Sequence, residues 1–145
     1  MIFRTAELSD IKQIQVVRHL VKENTLSNPD LVPDQDVAYY ISVKGKGWVC
    51  EVNGKMVGFS IIDLLDKSVW ALFVDPDFAE KGIGKELHRL MMNWYFEQTK
   101  DKVVLGTDPN TRAARFYALQ GWRLVGTYAN GEAKFELSYA DWING

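Results

Sequence analysis

Little in this chain suits a secreted, membrane-spanning or nucleic-acid-coating protein. One of its 145 residues is a cysteine, so Cys50 has no partner for an intrachain disulfide. It falls in an apolar stretch, where a buried and inert thiol is expected. No apolar run approaches the roughly 20 residues that a membrane-spanning helix needs. Met1-Ile2-Phe3-Arg4 leads directly into an expected strand without a leader pattern, which makes the cytoplasm the expected compartment. Seventeen Lys and Arg face 19 Asp and Glu, a net charge of −2. No basic patch is present to neutralise a row of phosphates, so neither nucleic acid nor membrane is an expected partner. The two histidines, His19 and His88, stand in no metal-ligand spacing and both read as surface residues; no metal is expected. Gly58-Phe59-Ser60-Ile61-Ile62 lacks the closing glycine of a nucleophile elbow, which argues against a serine hydrolase.

What is there is the composition of a soluble globular protein, with 47% hydrophobic and 25% charged residues. The length suits one domain over residues 1–145. A strand over 2–5 precedes a helix capped by Ser9 or Asp10, with Ile11, Ile14, Val17 (or Val16), Leu20 and Val21 as its apolar stripe. Residues 23–33 are polar and proline-punctuated, hence loop or broken helix. A short helix is expected over 34–43, ended by Gly45 and Gly47. Strands over 48–52 and 56–64 meet at Asn53-Gly54, a strong hairpin signal. A turn at Asp66-Lys67 leads to a strand over 69–74. Strands over 122–128 and 133–139 close the chain around Asn130-Gly131.

Between the strand at 69–74 and the next helix lies the most informative stretch, Asp75-Pro76-Asp77-Phe78-Ala79-Glu80-Lys81-Gly82-Ile83-Gly84-Lys85. Glycines lack Cβ, so their N–H groups can be brought against a bulky ligand. The first N–H groups of a helix have no internal partner, and the aligned peptide dipoles favour an anion there. The plain alternative is a helix that starts at a flexible turn. The GxxxxGK[ST] spacing of a phosphate-binding loop is absent, and Leu87 stands where a dinucleotide fingerprint wants its third glycine. The helix that follows carries Ile83, Leu87, Leu90, Met91 and Trp94 on its apolar face, with Lys85, Glu86, Arg89, Asn93 and Glu97 opposite. It leads to a strand at 103–107, which should lie parallel to 69–74.

A second segment follows, from Asn110 through Ala113, Tyr117 and Gly121 to Trp122. Asn110 is an expected N-cap and Gly121 an expected left-handed stop. With both segments in view the chain resembles the GNAT superfamily of acetyl-CoA-dependent N-acetyltransferases. The family's pyrophosphate loop, Gln/Arg-x-x-Gly-x-Gly/Ala, falls on Ala79-Glu80-Lys81-Gly82-Ile83-Gly84, with Ala79 departing from the preferred Gln or Arg. Its downstream pattern of Asn, Ala, Tyr and a Gly-aromatic pair falls on Asn110, Ala113, Tyr117, Gly121 and Trp122.

The resemblance implies an α/β fold of mixed type: a mostly antiparallel sheet of six to seven strands, helices on both faces, and a central parallel strand pair. It implies that this pair splays, and that the pantetheine arm of acetyl-CoA lies along Leu72, Phe73 and Val74. The pyrophosphate would meet Lys81, Gly82, Ile83, Gly84 and Lys85, with Lys81 or Lys85 standing in for the charge missing at Ala79. Tyr117 would be the general acid, and Asn110 would contact the pantetheine arm. Read from the residues alone, Tyr117 is equally a core tyrosine with its hydroxyl at the rim. The general base is open between Asp63, Asp108 and ordered water. The acceptor would be a primary amine of a small molecule or peptide. Asp30, Asp34, Asp36, Tyr39 and Tyr40, between the first two helices, lean toward a cationic one, although capping aspartates explain the same residues. A catalytically silent acyl-CoA-binding module is the alternative, and the resemblance leaves room for a homodimer through the last strands.

Overall fold

The computed structural model describes residues 1–21 and 32–145. The polar segment expected over 23–33, with Asp30, lies outside the described residues except for its last two positions. Seven strands, β1 (Ile2–Thr5), β2 (Gly45–Val52), β3 (Lys55–Asp63), β4 (Ser68–Val74), β5 (Val103–Thr107), β6 (Arg123–Thr127) and β7 (Ala133–Leu137), form one sheet in the order β1-β2-β3-β4-β5-β7-β6. Every neighbouring pair is antiparallel except β4 with β5. The expected mixed sheet with its parallel pair is therefore present. Asn53 and Gly54 join β2 to β3 with φ of 53° and 79°, the doubly left-handed turn that the dipeptide favours.

β3 is the keel of the sheet, since residues 56–63 are buried without a break. A strand covered on both faces can afford no polar alternation. On one face it meets Ile83, Leu87, Met91 and Tyr95 of α3 (Ile83–Gln98), packed with Trp48, Cys50, Val57 and Ile62. On the other, Ile14 and Val17 of α1 (Ile11–Leu20) and Val37 of α2 (Asp34–Tyr39) cover Val49, Phe59 and Ile61. Of the alternatives for the α1 stripe, Val17 is buried and Val16 is exposed. Cys50 is fully buried, and desolvation pushes its thiol up. Among the described residues no helix is long and apolar enough to cross a membrane.

Several boundaries move for identifiable reasons. Gly45 and Gly47 do not end a helix: they open β2 three residues before its expected start. A Cβ on Gly45 would stand 1.7 Å from the carbonyl oxygen of Ile62, and one on Gly47 would stand 3.1 Å from Cβ of Ala6. Gly45 serves close backbone approach inside the sheet, and Gly47 makes room for the side chains of Ala6, Ile41 and Ile61. The helix expected over 34–43 divides into α2 and a wide π turn, Tyr40–Lys44. Asp10 stands at the N-cap of α1 but makes no side-chain capping bond there. Its buried carboxylate accepts from the Glu7 N–H at 2.7 Å and pairs with Arg4, which also holds Glu51. The Arg4 guanidinium keeps the Asp10 carboxyl below the ordinary carboxylate range. The last strand ends at Leu137, and a short helix α5 (Tyr139–Ile143) follows, with the Ser138 hydroxyl accepting from the Asp141 N–H at 3.1 Å. Ser-x-x-Asp is a capping signature that sequence reading passed over.

Replacing Gly45 by alanine drives a methyl into the Ile62 carbonyl, which no side-chain rotation relieves. The expected loss is on the order of 2–4 kcal/mol, read as a lower urea midpoint at constant slope.

Candidate functional site

The parallel pair barely pairs. The only register partners between β4 and β5 are Ser68 and Val104, with the Val104 N–H donating to the Lys67 carbonyl at 3.0 Å. β5 instead runs its whole length against β7. Farther along, Leu72, Phe73 and Val74 match Ser60, Phe59 and Gly58 of β3 on one side, with no β5 register on the other. Their second backbone edge is thus a strand edge of the kind an extended ligand can extend.

On the face that carries α1, a cleft of about 640 Å³ opens over this gap, lined by Trp70, Phe73, Leu105, Gly106, Tyr128 and Glu132, with Arg18 at its side. Trp70 is there because β4 carries a bulge. Ile61 pairs with Ala71 and Ile62 with Val69, which leaves Trp70 as the extra residue. Its indole stacks on Tyr40 at 4.1 Å between centroids and 9° between planes. Gly106 leaves room for the opposite wall, because a Cβ there would stand 3.0 Å from both the Tyr128 ring and the Glu132 carboxylate. Sequence reading missed Trp70, Tyr128 and Glu132. Only the Asn130-Gly131 turn beside the last two was a signal.

Past the end of β4 the chain turns through a 3₁₀ segment, Pro76–Phe78, capped by the Asp75 carboxylate. Glu80 and Gly82 then take left-handed φ of 62° and 81°, and Gly82 is the N-cap of α3 without any side-chain hydrogen bond. The first intrahelical bond runs from the Glu86 N–H to the Gly82 carbonyl at 3.1 Å. The N–H groups of Ile83, Gly84 and Lys85 consequently have no acceptor within the helix. A glycine inside a helix costs up to about 1 kcal/mol relative to alanine. Nothing in the protein requires one at position 84: a Cβ there would touch Val74 at 3.6 Å and Phe116 at 3.8 Å, ordinary contacts. Lys81 and Lys85 are exposed and enter no ion pair among the described residues. Ala79 is half-buried, its N–H donating to the Pro76 carbonyl.

The second segment forms α4 (Arg112–Leu119). Its cap is Thr111, whose hydroxyl accepts from the Ala114 N–H at 3.2 Å, and not Asn110. Asn110 sits one residue earlier at φ 61°, exposed, in the left-handed region that asparagine tolerates better than threonine. The stop at Gly121 is as expected: φ is 102°, with the Trp122 N–H bonded to the Tyr117 carbonyl and the Gly121 N–H to that of Ala118. Tyr117 is buried against Phe116 and Trp122, and desolvation raises its phenol further above the ordinary value.

His88 contradicts the expectation of a surface residue. It is 1% exposed, and its Nε2 accepts from the Trp122 indole N–H at 2.9 Å. Burial lowers its pKa to about 4. Asp63, a candidate base, is spent in the core: it pairs with Lys44 at 3.0 Å, and Lys44 also holds Asp66. Asp108 is buried at the end of β5. Asp34 and Asp36 occupy the first turn of α2, as helix-starting aspartates do. Tyr40 reaches the cleft wall through Trp70.

The neutral burial of His88 has a measurable consequence. Between pH 6.5 and 4 the unfolded chain takes up a proton that the folded chain refuses, so stability falls as pH falls through that window. A His88→Gln variant should show a shallower slope there, by up to about 1.4 kcal/mol per pH unit, in urea titrations run at each pH.

Comparison with known proteins agrees with the fold. No curated protein sequence matches the chain. Among solved structures, an acetyltransferase of the GNAT family from Staphylococcus aureus Mu50 superposes with a TM-score of 0.80 at 20% identity, over 95% of this chain and 98% of that one. The structure of yncA from Salmonella typhimurium with its cofactor acetyl-CoA gives 0.77 at 18% identity, over 96% and 94%. The ribosomal-protein-S18-alanine N-acetyltransferase of Escherichia coli gives 0.71 at 17%, over 93% and 90%. Identities this low speak for the fold alone. The family itself comes from the sequence: the model of the acetyltransferase (GNAT) family matches residues 14–122, three-quarters of the length, and the chain belongs to that family.

Proposed function

We propose that the protein is an N-acetyltransferase that moves an acetyl group from acetyl-CoA to a primary amine of a small molecule or peptide by direct attack. One observation carries the reading. Three segments distant in sequence meet at Gly84: the end of β4 through Val74, the uncapped start of α3, and α4 through Phe116, next to Tyr117. The glycine has no packing reason to be there, whereas a diphosphate held against bare N–H groups needs its missing side chain.

The residues present suit acetyl-CoA. Ile83, Gly84 and Lys85 would offer main-chain donors to the diphosphate, with Lys81 and Lys85 adding charge and Gly82 setting the bend. The free edge of Leu72, Phe73 and Val74 would take the pantetheine arm as a further strand, and Asn110 would touch that arm from the start of α4. Acetyl-CoA supplies an activated acyl group whose thiolate leaves. The acceptor amine would occupy the cleft on the opposite face of the sheet, where Glu132 is the acidic side chain among the described lining residues. Arg18 lines the same cleft with the opposite charge, so the described lining has one charged group of each sign. Tyr117 would donate its proton to the departing sulfur, and the raised phenol pKa keeps that proton in place at neutral pH. With Asp63 committed to Lys44, the amine's proton would leave through Asp108, Glu132 or ordered water.

Two measurements test this reading. In a free-thiol assay with acetyl-CoA over a broad panel of amines and peptides, Tyr117→Phe should lower kcat by about 10- to 100-fold with coenzyme A affinity unchanged. Full kcat in that variant removes the role. Coenzyme binding without thiol release on any amine would favour the silent binding module, to which Ala79 also points. Lys81→Ala should raise the Kd for acetyl-CoA about threefold in low salt, with the difference shrinking as ionic strength rises.

A further inference from the structure

Among the described residues, His88 is a buried titratable side chain to which neither the sheet nor the proposed chemistry gives a part. It lies on the α3 face that packs against the sheet and α4, where leucine would fill the space without a polar atom. Its Nδ1 is buried with no hydrogen-bond partner. An indole N–H can only donate, so the 2.9 Å contact from Trp122 requires a lone pair on Nε2 and puts the proton of the neutral ring on Nδ1. Four aromatic rings surround it: Trp142 at 5.4 Å, Phe116 at 5.8 Å, Trp122 at 6.2 Å and Tyr117 at 6.3 Å between centroids. An imidazole retained in such a place at the cost of an orphaned donor is there for the one directional bond it makes.

That bond acts on Trp122, and Trp122 acts on Tyr117. The Trp122 main-chain N–H is tied to the Tyr117 carbonyl at 3.0 Å, and the two rings pack edge to face at 5.6 Å. The indole is thus held at both ends, by Tyr117 through the backbone and by His88 through the ring nitrogen. We propose that His88 is a positioning residue: its neutral ring fixes the Trp122 indole, and the indole fixes the direction of the Tyr117 side chain. The inference rests on Tyr117 being the proton donor.

The test combines steady-state kinetics with nitrogen NMR. His88→Leu should lower kcat about tenfold while KM and Kd for acetyl-CoA stay within twofold, a split that general loosening of the core does not produce. His88→Gln, whose side-chain oxygen can accept the same N–H, should recover kcat to within about threefold of the unsubstituted enzyme. In a Tyr117→Phe background His88→Leu should cost nothing further. Equal kcat in His88→Leu and the unsubstituted enzyme, no recovery with glutamine, or an undiminished loss in the Tyr117→Phe background each overturns the positioning role. Full activity of Tyr117→Phe alone removes the proton-donor reading instead, so the two failures are told apart. Should His88→Leu fail to fold, the nitrogen shifts of His88 in the unsubstituted protein decide: a protonated Nδ1 with a bare Nε2 at pH 7 supports the bond, and the opposite tautomer overturns it.

Discussion

The divergence of β4 from β5 is the constraint on which everything else turns. Two parallel strands that paired along their length would close the sheet and leave neither an edge nor a gap. Here they meet at Ser68 and Val104 and then separate, and the sheet is held together around the opening by other means. β4 stays with β3, and β5 stays with β7 through an unbroken antiparallel register. Each strand is secured on its outer side, so the inner edges are free without cost to sheet integrity. The two cores complete the arrangement. α3 covers one face and α1 with α2 the other, so each side of the sheet has its own core.

Ionic contacts sit where strands and turns need fixing. Arg4 bridges Asp10 and Glu51, tying β1, the approach to α1 and β2. Lys44 bridges Asp63 and Asp66, tying the π turn to the end of β3 and the turn into β4. Both join a buried carboxylate to an exposed or half-exposed one, so each desolvated charge has a partner. This is why Asp63, attractive as a base from its place on a strand before the central pair, does structural work.

Much of this was legible in the sequence. Hairpin dipeptides, the glycine turn and the helical stripe of α3 are local signals, and local chemistry decides them. Asn53-Gly54 and Gly121 behave as their backbone preferences demand. What was hidden depends on neighbours far along the chain. Gly45 looks like a helix stop until Ile62 is beside it. His88 neighbours Leu87 on a helix whose polar flank suggests solvent, yet α4 and Trp122 cover that flank and turn it into core. Asn110 and Thr111 are both capping residues by type; the choice fell to Thr111 because the turn needs a left-handed residue just ahead of it. The cleft walls were the least visible, since a bulge and a ring stack leave no periodic trace.

The extra residue in β4 also changes which side of the sheet each of its residues serves. Val69, Leu72 and Val74 pack toward α3, whereas Trp70, Ala71 and Phe73 pack toward α1. Two successive side chains, Trp70 and Ala71, share a face, so the strand's odd–even rule inverts midway. The half that belongs to the parallel pair and the half that borders the glycine turn are therefore out of phase by one position. Removing that single residue would make the pleat regular and leave the two halves unable to satisfy their present partners together.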